Sequence, residues 1–289
     1  MTYILHLAIM LGLYWMLVLS ANLTVGYGGL LSLSAATFYG IGAYLYAWLA
    51  VSAGWPAWAA FSGAVAGGAA AGGMFALVTL RFRNETFTVA TMAVQMVAFG
   101  VFYNWTDVTG GPYGFPDIPR PTLFGFGFES QISFCALVLT LCLATIAIAI
   151  VFSRSRFALA LRALREDELA AASLGIAPNR MFTATLILSA ALAAEAGTLF
   201  ACYVSYVDPT GFSIGESVFI LAMLITGGSG NIKGPLIGAA ILVALPEALR
   251  FTGLPADSAG PLREIIYGLV LIILMYLKPK GIAGDYAIR

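Results

Sequence analysis

Two kinds of residue in this sequence can do chemistry in an apolar setting: lone carboxylates, and glycines that interrupt otherwise helical runs. Glu195 lies near the middle of SAALAAEAGTLF, and Glu216 stands at the start of the next apolar segment. A charge at the centre of a bilayer costs roughly 2.5–3.5 kcal/mol on insertion scales, so such a group faces protein or water. Glu195 therefore reads either as a lining residue of a polar path or as a contact between helices. His6 is the only histidine, too isolated for metal or triad chemistry, and reads as facing a neighbouring helix. Cys135, Cys142 and Cys202 lie inside apolar runs at spacings that fit neither a zinc site nor a disulfide framework. They read as small buried hydrophobes. With no His, Asp, Glu or Cys cluster and no serine followed by a plausible base, intramembrane catalysis is disfavoured.

The glycines are more informative. Gly26, Gly28 and Gly29 precede Leu30–Ser34, a stretch that holds Ser32 and Ser34; Gly227, Gly228, Gly230 and Gly234-Pro235 interrupt the second half. Such residues free the backbone from helix geometry, which is tolerable only where protein or a water-filled path surrounds it. A freed helix N-terminus offers N–H groups and about half a positive charge to a carboxylate. In many transporters a broken helix in each half aims such dipoles at solute near mid-membrane, and a zwitterion with an apolar side chain suits that arrangement. The competing reading is close helix packing through small residues.

These residues need elements to hold them. The chain has 289 residues, 61% hydrophobic and 10% charged, with zero formal net charge. Soluble domains carry about 25% charged residues. Residues 57–80, 86–106 and 130–153 carry no charge at all, and about 20 apolar residues span a bilayer core of about 30 Å. The neutral balance gives no case for nucleic-acid binding. Apolar segments fall at 4–21, 24–52, 57–80, 85–106, 130–153, 180–204, 213–228, 234–249 and 264–277. The stretch 24–52 is too long and glycine-rich for one helix and reads as a short helix, a break and a second helix. The first segment has no preceding Lys or Arg and no small-residue cleavage site, so it is expected to stay as a membrane helix. The expectation is a single all-α integral membrane domain over 1–289, a polytopic bundle of about eight to ten transmembrane elements with broken, Gly-rich helices.

Arg81 and Arg83 form one basic cluster; Arg154, Arg156, Arg162, Arg165 and Arg180 a second; Lys278, Lys280 and Arg289 a third. Even numbers of crossings separate them, so all three share one side, which the positive-inside rule makes cytoplasmic, with the C-terminus. Arg120, Arg250 and Arg263 fall opposite. The side of the N-terminus depends on how 24–52 crosses and stays open. Residues 107–129, rich in Gly, Pro and Phe, read as an ordered extracytoplasmic loop.

Residues 154–180, RSRFALALRALREDELAAASLGIAPNR, are the long cytoplasmic loop. Phe157 to Leu174 contains good helix formers, with Gly175 as C-terminal cap. Phe157, Leu161 and Leu164 recur at i, i+4 and i+7 as one apolar stripe, beside the mixed charges of Arg162, Arg165, Glu166, Asp167 and Glu168. The stripe needs a receiver: the membrane interface, the protein's own helix ends, or a partner protein docking from the cytoplasm. Acids and bases in equal measure favour a protein partner over anionic lipid.

ALRALREDELAAASLGI resembles the cytoplasmic coupling segment of permeases in the branched-chain amino-acid ABC importer family. NLTVGYGGLLSLSAATFYGIGAY is similar to that family's first glycine-rich segment, and RFRNETFTVATMAV followed by DVTGGPYGFPDIPRP to the stretches that mark its M-type subunit over the H-type sister. ITGGSGNIKGPLIGAAILVALPEALR and LMYLKPKGIAG complete a likeness over nearly the whole chain. The resemblance implies a permease of the bacterial inner membrane. It would pair with a homologous permease, be driven by two ATP-binding subunits that carry ATP and Mg, and be supplied by a periplasmic binding protein. No G-x-x-x-x-G-K-[ST] motif occurs in the chain, so no cofactor is assigned to it.

In that frame the substrate path is expected to use Gly26, Gly28, Gly29, Ser32, Ser34, Glu195, Glu216, Gly227, Gly228 and Gly230. Glu216 matches an acidic family position near the external mouth, whereas Glu195 departs from the family's small or apolar residue. ATPase coupling falls to Leu161, Arg162, Leu164, Arg165, Glu166, Asp167, Leu174 and Gly175. Thr109, Gly110 and Gly111 match a periplasmic TGG pattern that receives a binding protein or simply makes a turn. The rival readings are a permease for urea, short amides or aromatic or carboxylic acids, and a stand-alone secondary transporter or channel.

Overall fold

The computed structural model describes residues 2–82, 85–123, 126–128, 130–250, 268 and 281–284. The helices follow the apolar runs closely: α1 Thr2–Asn22, α2 Ala35–Ala47, α3 Ala57–Thr79, α4 Glu85–Asn104, a single turn α5 Thr106–Thr109, and α6 Gln131–Arg154. Two short loop helices follow, α7 Arg156–Glu166 and α8 Glu168–Ser173, then α9 Pro178–Val204, α10 Ile214–Gly227 and α11 Lys233–Arg250. Five spans are long and apolar enough to cross a membrane, Tyr3–Tyr27, α3, α4, α6 and α9. With the shorter apolar helices α2, α10 and α11 the described residues supply eight membrane elements. The ninth expected segment, 264–277, lies outside the described residues except at Gly268.

The centre of the bundle is α9, and small residues let its neighbours approach. Gly68 and Gly72 of α3 lie against Ala194 and Ala190 of α9, and a Cβ on Gly72 would stand 2.5 Å from that of Ala190. Gly42 of α2 meets the backbone of Ala194, and Gly197 of α9 that of Tyr39. Close backbone approach of this kind holds membrane helices together where no hydrophobic driving force acts between them. Rising numbers on α3 meet falling numbers on α9, so the two run antiparallel.

Helix directions follow from the aromatic contacts. Tyr203, near the end of α9, stacks on both His6 and Phe134, with centroids 5.7 Å away in each case. At the other end Tyr27 meets Phe152 at 5.6 Å. Hence α1 and α6 run parallel, and the N-terminus lies at the end opposite the 154–180 loop. That loop end also holds Arg81 and the described residues 281–284, since Ile282 N–H donates to the Thr226 carbonyl at 3.0 Å and Ala283 N–H to Gly227 at 2.9 Å. Arg83, Lys278, Lys280, Arg263 and Arg289 lie outside the described residues.

Two expectations on element boundaries are corrected. In 24–52 the first piece is no separate helix: Leu23–Tyr27 is a π-helical continuation of α1, residues 28–34 form the break, and α2 starts at Ala35. The loop helix expected over Phe157–Leu174 breaks at Asp167, whose extended backbone ends α7 and whose carboxylate accepts the Ala170 N–H at 2.9 Å to cap α8. Gly175, at φ +88, ends α8.

At the opposite end residues 107–129 form an ordered cap. Phe115 and Val207 exchange backbone hydrogen bonds of 2.7 and 3.0 Å, and Tyr46 donates to the Pro119 carbonyl at 3.1 Å. The cap also contains a two-residue antiparallel strand pair, Thr122–Leu123 with Phe126–Gly127, in an otherwise helical chain.

Candidate functional site

The two glycine-rich breaks meet at the loop end of the bundle. Asn22, the last residue of α1, donates from Nδ2 to the Asn231 carbonyl at 2.7 Å and accepts the Gly230 N–H on Oδ1 at 3.1 Å. Gly26 is fixed as glycine by close approach: a Cβ there would lie 2.7 Å from the Gly230 nitrogen and run into the Asn22 side chain. Gly29, at φ +68, turns the chain beneath Arg165, whose Cγ would stand 2.6 Å from an added Cβ. Asn231 then accepts the Gly234 N–H at 2.7 Å on Oδ1 and donates to the Ala283 carbonyl.

The loop helix α7 lies directly on this junction. Its apolar stripe is received by the chain itself: Leu161 and Leu164 are buried, and Phe157 packs edge-on to Phe152 at 5.6 Å. Arg162 donates to the Gly230 carbonyl at 3.2 Å, with its guanidinium carbon 5.1 Å from the Tyr27 ring centroid. Arg165 donates to the Gly26 carbonyl. Of the expected coupling residues, Leu161, Arg162, Leu164 and Arg165 thus face inward, while Asp167 and Gly175 shape the turn. Glu166 and Leu174 face out, and Leu159 and Leu169 join them as exposed leucines.

The breaks do not present freed N–H groups at mid-membrane. The amides of Gly28 and Gly29 donate to Leu23 and Val25, that of Gly228 to Leu224, and that of Gly230 to Asn22. The expected place is therefore corrected: Gly26, Gly28, Gly29, Gly227, Gly228 and Gly230 build a joint at the loop end. The reason is α1's length, since its π-helical extension Leu23–Tyr27 carries the break five residues past Asn22.

Ser32 and Ser34 occupy a different level. With Ser20, Thr24 and Ser189 they line a narrow cavity walled by Phe38 and Leu186, of about 10 Å³, room for one water. Helix α4 buttresses the break that carries these serines. Thr88 donates to the Leu31 carbonyl at 3.0 Å and Thr91 accepts the Leu33 N–H at 3.0 Å. Gln95 accepts from Thr37 at 2.6 Å and from Ser217 at 3.3 Å, and donates to the Phe212 carbonyl at 2.8 Å. Sequence reasoning missed Asn22, Thr88, Thr91, Gln95 and Ser217. A signal existed: residues 88, 91 and 95 are the i, i+3, i+7 polar positions of one face on an otherwise apolar helix.

The two membrane carboxylates stand apart from the cavity. Glu195 accepts from Thr145 of α6 at 3.4 Å, so it faces the α6–α9 seam. Glu216 hydrogen-bonds Tyr14, twelve positions and about 18 Å along α1 from Thr2. Its expected place at the external mouth is corrected: α10 begins inside the bundle, where Ser217 accepts the Ala36 N–H at 2.9 Å.

In the cap, Thr109 is buried and donates to the Phe102 and Trp105 carbonyls at 2.7 Å each, while Gly110 and Gly111 take φ +73 and +57. These residues build the turn, and the side chain that the turn presents to the outside is Tyr113, 86% exposed. Among the described residues no three His, Cys, Asp or Glu side chains come together as metal ligands.

The family described as "Branched-chain amino acid transport system / permease component" matches residues 3–275. The high-affinity branched-chain amino acid transport system permease protein LivM of Salmonella typhimurium is 32% identical over 96% of this chain and 69% of its own. LivM of Escherichia coli is 31% identical over 93% and 67%. LivH of Escherichia coli is 28% identical over 94% and 91%. No solved structure matches the chain.

Proposed function

The chain belongs to the branched-chain amino acid transport system permease family, and from that premise we propose that it is the M-type membrane subunit of an ATP-driven importer for branched-chain or related small amino acids. It pairs with a homologous H-type permease, so that the solute path runs between the two. Two ATP-binding subunits move the pair between outward- and inward-open states, and a periplasmic binding protein delivers solute to the 107–129 side. The membrane is the bacterial inner membrane, with the 154–180 loop and the C-terminus in the cytoplasm, as the basic residues at that end favour. ATP and Mg belong to the partner chains.

The observation that carries this reading is the two-faced loop. Its inner face is anchored on the bundle through Leu161 and Leu164, and its outer face leaves Leu159, Leu169, Leu174 and Glu166 uncovered. A stand-alone carrier has no use for leucines exposed on a water-facing loop, whereas a docked ATPase covers them.

The test is reconstitution into proteoliposomes with the partner permease, the ATPase subunits and the binding protein. ATP-dependent accumulation of labelled leucine is expected, and Leu169→Asp with Leu174→Asp lowers ATPase association and uptake together. Equal uptake by this chain without ATP or ATPases would establish the stand-alone reading instead. Competition by urea, short amides or aromatic acids in place of leucine would reassign the substrate within the family.

A further inference from the structure

We infer that Asn22, Arg162 and Arg165 are positioning residues that clasp the two glycine-rich breaks together at the loop end, and that solute release on that side requires the clasp to part. The inference rests on the transport reading above and adds to it the residues through which the loop acts.

The electrostatics of the joint call for such a clasp. The π-helical end of α1 and the end of α10 arrive at the same place, and both are helix C-termini. Each carries carbonyls without an intrahelical partner and about half a negative charge. On the α10 side Thr226 and Gly227 already accept the Ile282 and Ala283 N–H groups, so what ties one break to the other is the set of hydrogen bonds between them. Asn22, 1% exposed, joins them with both halves of its amide, on Gly230 and Asn231. The arginines add a donor to each break, with Arg165 on the Gly26 carbonyl at the end of α1 and Arg162 on the Gly230 carbonyl in the turn between α10 and α11. A guanidinium at a helix C-terminus satisfies the orphan carbonyl and the dipole at once.

The mechanics follow from the spacing. Arg162 and Arg165 are three residues apart on α7, so they lie on one face and move as one body. A hydrogen bond is lost once donor and acceptor separate beyond about 3.5 Å, so withdrawing α7 by about 1–2 Å breaks both contacts together. The single extended residue Asp167 joins α7 to α8, so a displacement of the exposed α8 turn reaches α7 through one backbone link. A pull on the loop thus withdraws both guanidinium donors from the breaks, leaving Asn22 alone to hold them, and the breaks part.

Ser229 reports the state of the joint, because it is 1% exposed and lies between Gly228 and Gly230. The experiment is maleimide labelling of the full-length Ser229→Cys protein in inside-out membrane vesicles. Cys135, Cys142 and Cys202 are buried, and the parent chain gives their background. Labelling of Ser229→Cys alone is expected to be slow. Adding Arg162→Gln and Arg165→Gln raises the rate about tenfold or more, while Arg162→Lys with Arg165→Lys, which keeps the charges at the helix ends, restores it to within about threefold. Arg156→Gln, which removes an exposed cation from the same helix but leaves the joint untouched, keeps the rate near the parent value.

Equal rates with and without the arginines would overturn the clasp, as would an equal rise from Arg156→Gln. Where the double glutamine variant also exposes Cys142, signalling general unfolding, Arg165→Gln alone is judged by the same criteria. Labelling is read without ATP, solute or partner chains. Its failure with uptake intact removes the clasp and leaves the transport reading standing; failed uptake with arginine-dependent labelling does the reverse.

Discussion

Gln95 of α4 accepts the hydroxyl of Thr37 of α2 at 2.6 Å. The same amide holds Ser217 and the Phe212 carbonyl, so one side chain sets where α2 resumes and where α10 begins. Gln95→Leu keeps the shape and leaves these partners unpaired in a dry interior. A loss of about 1–3 kcal/mol is expected, measured by unfolding in mixed micelles, with uptake reduced at matched expression. Unchanged stability would mean that water replaces the amide.

The seam between α3 and α9 makes a sharper comparison. Gly72→Leu drives a side chain into Ala190 and is expected to destabilise by about 1–3 kcal/mol. Gly100→Ala in α4 has open space around it and is expected to be neutral or stabilising by about 0.4–1 kcal/mol. Thermal aggregation of the detergent-solubilised protein ranks the two, and the reverse order would contradict the packing described.

Glu195 faces Thr145 rather than the serine-lined cavity. Glu195→Gln and Glu195→Ala are therefore expected to support uptake within about twofold of each other, with the alanine variant less stable by about 1 kcal/mol for the hydrogen bond lost. Uptake that survives in alanine but fails in glutamine, or the reverse, would place the carboxylate on the solute path.

Sidedness can be read directly. Leu169 and Tyr113 are 85% and 86% exposed at opposite ends of the bundle. In spheroplasts an impermeant maleimide is expected to label Tyr113→Cys and to spare Leu169→Cys until the membrane is permeabilised. The opposite pattern would invert the topology and remove the loop from the reach of any cytoplasmic ATPase.

The membrane elements were legible because a hydrocarbon slab dictates length and apolarity residue by residue. The boundaries of α3, α4, α6, α9, α10 and α11 fall within a few positions of the apolar runs. What sequence could not give was depth and pairing. Glycine clusters at 26–29 and 227–230 announce breaks, but nothing local says that α1 continues through a π turn before breaking, or that the breaks touch. Arg165 and Gly26 are 139 positions apart, and periodicity within α7 cannot choose between an arginine aimed at a partner and one turned back on its own chain. Asp167 read as one of several surface charges because capping depends on a backbone angle that composition does not reveal. Asn22, an amide between the first two apolar runs, was the one visible clue to the joint.

Where Gly26 abuts Gly230, the two breaks meet with almost no room between their backbones. A side chain at Gly26 would have to push the two breaks apart, so shape alone holds that position as glycine. The requirement there is steric, so it holds whichever solute is carried.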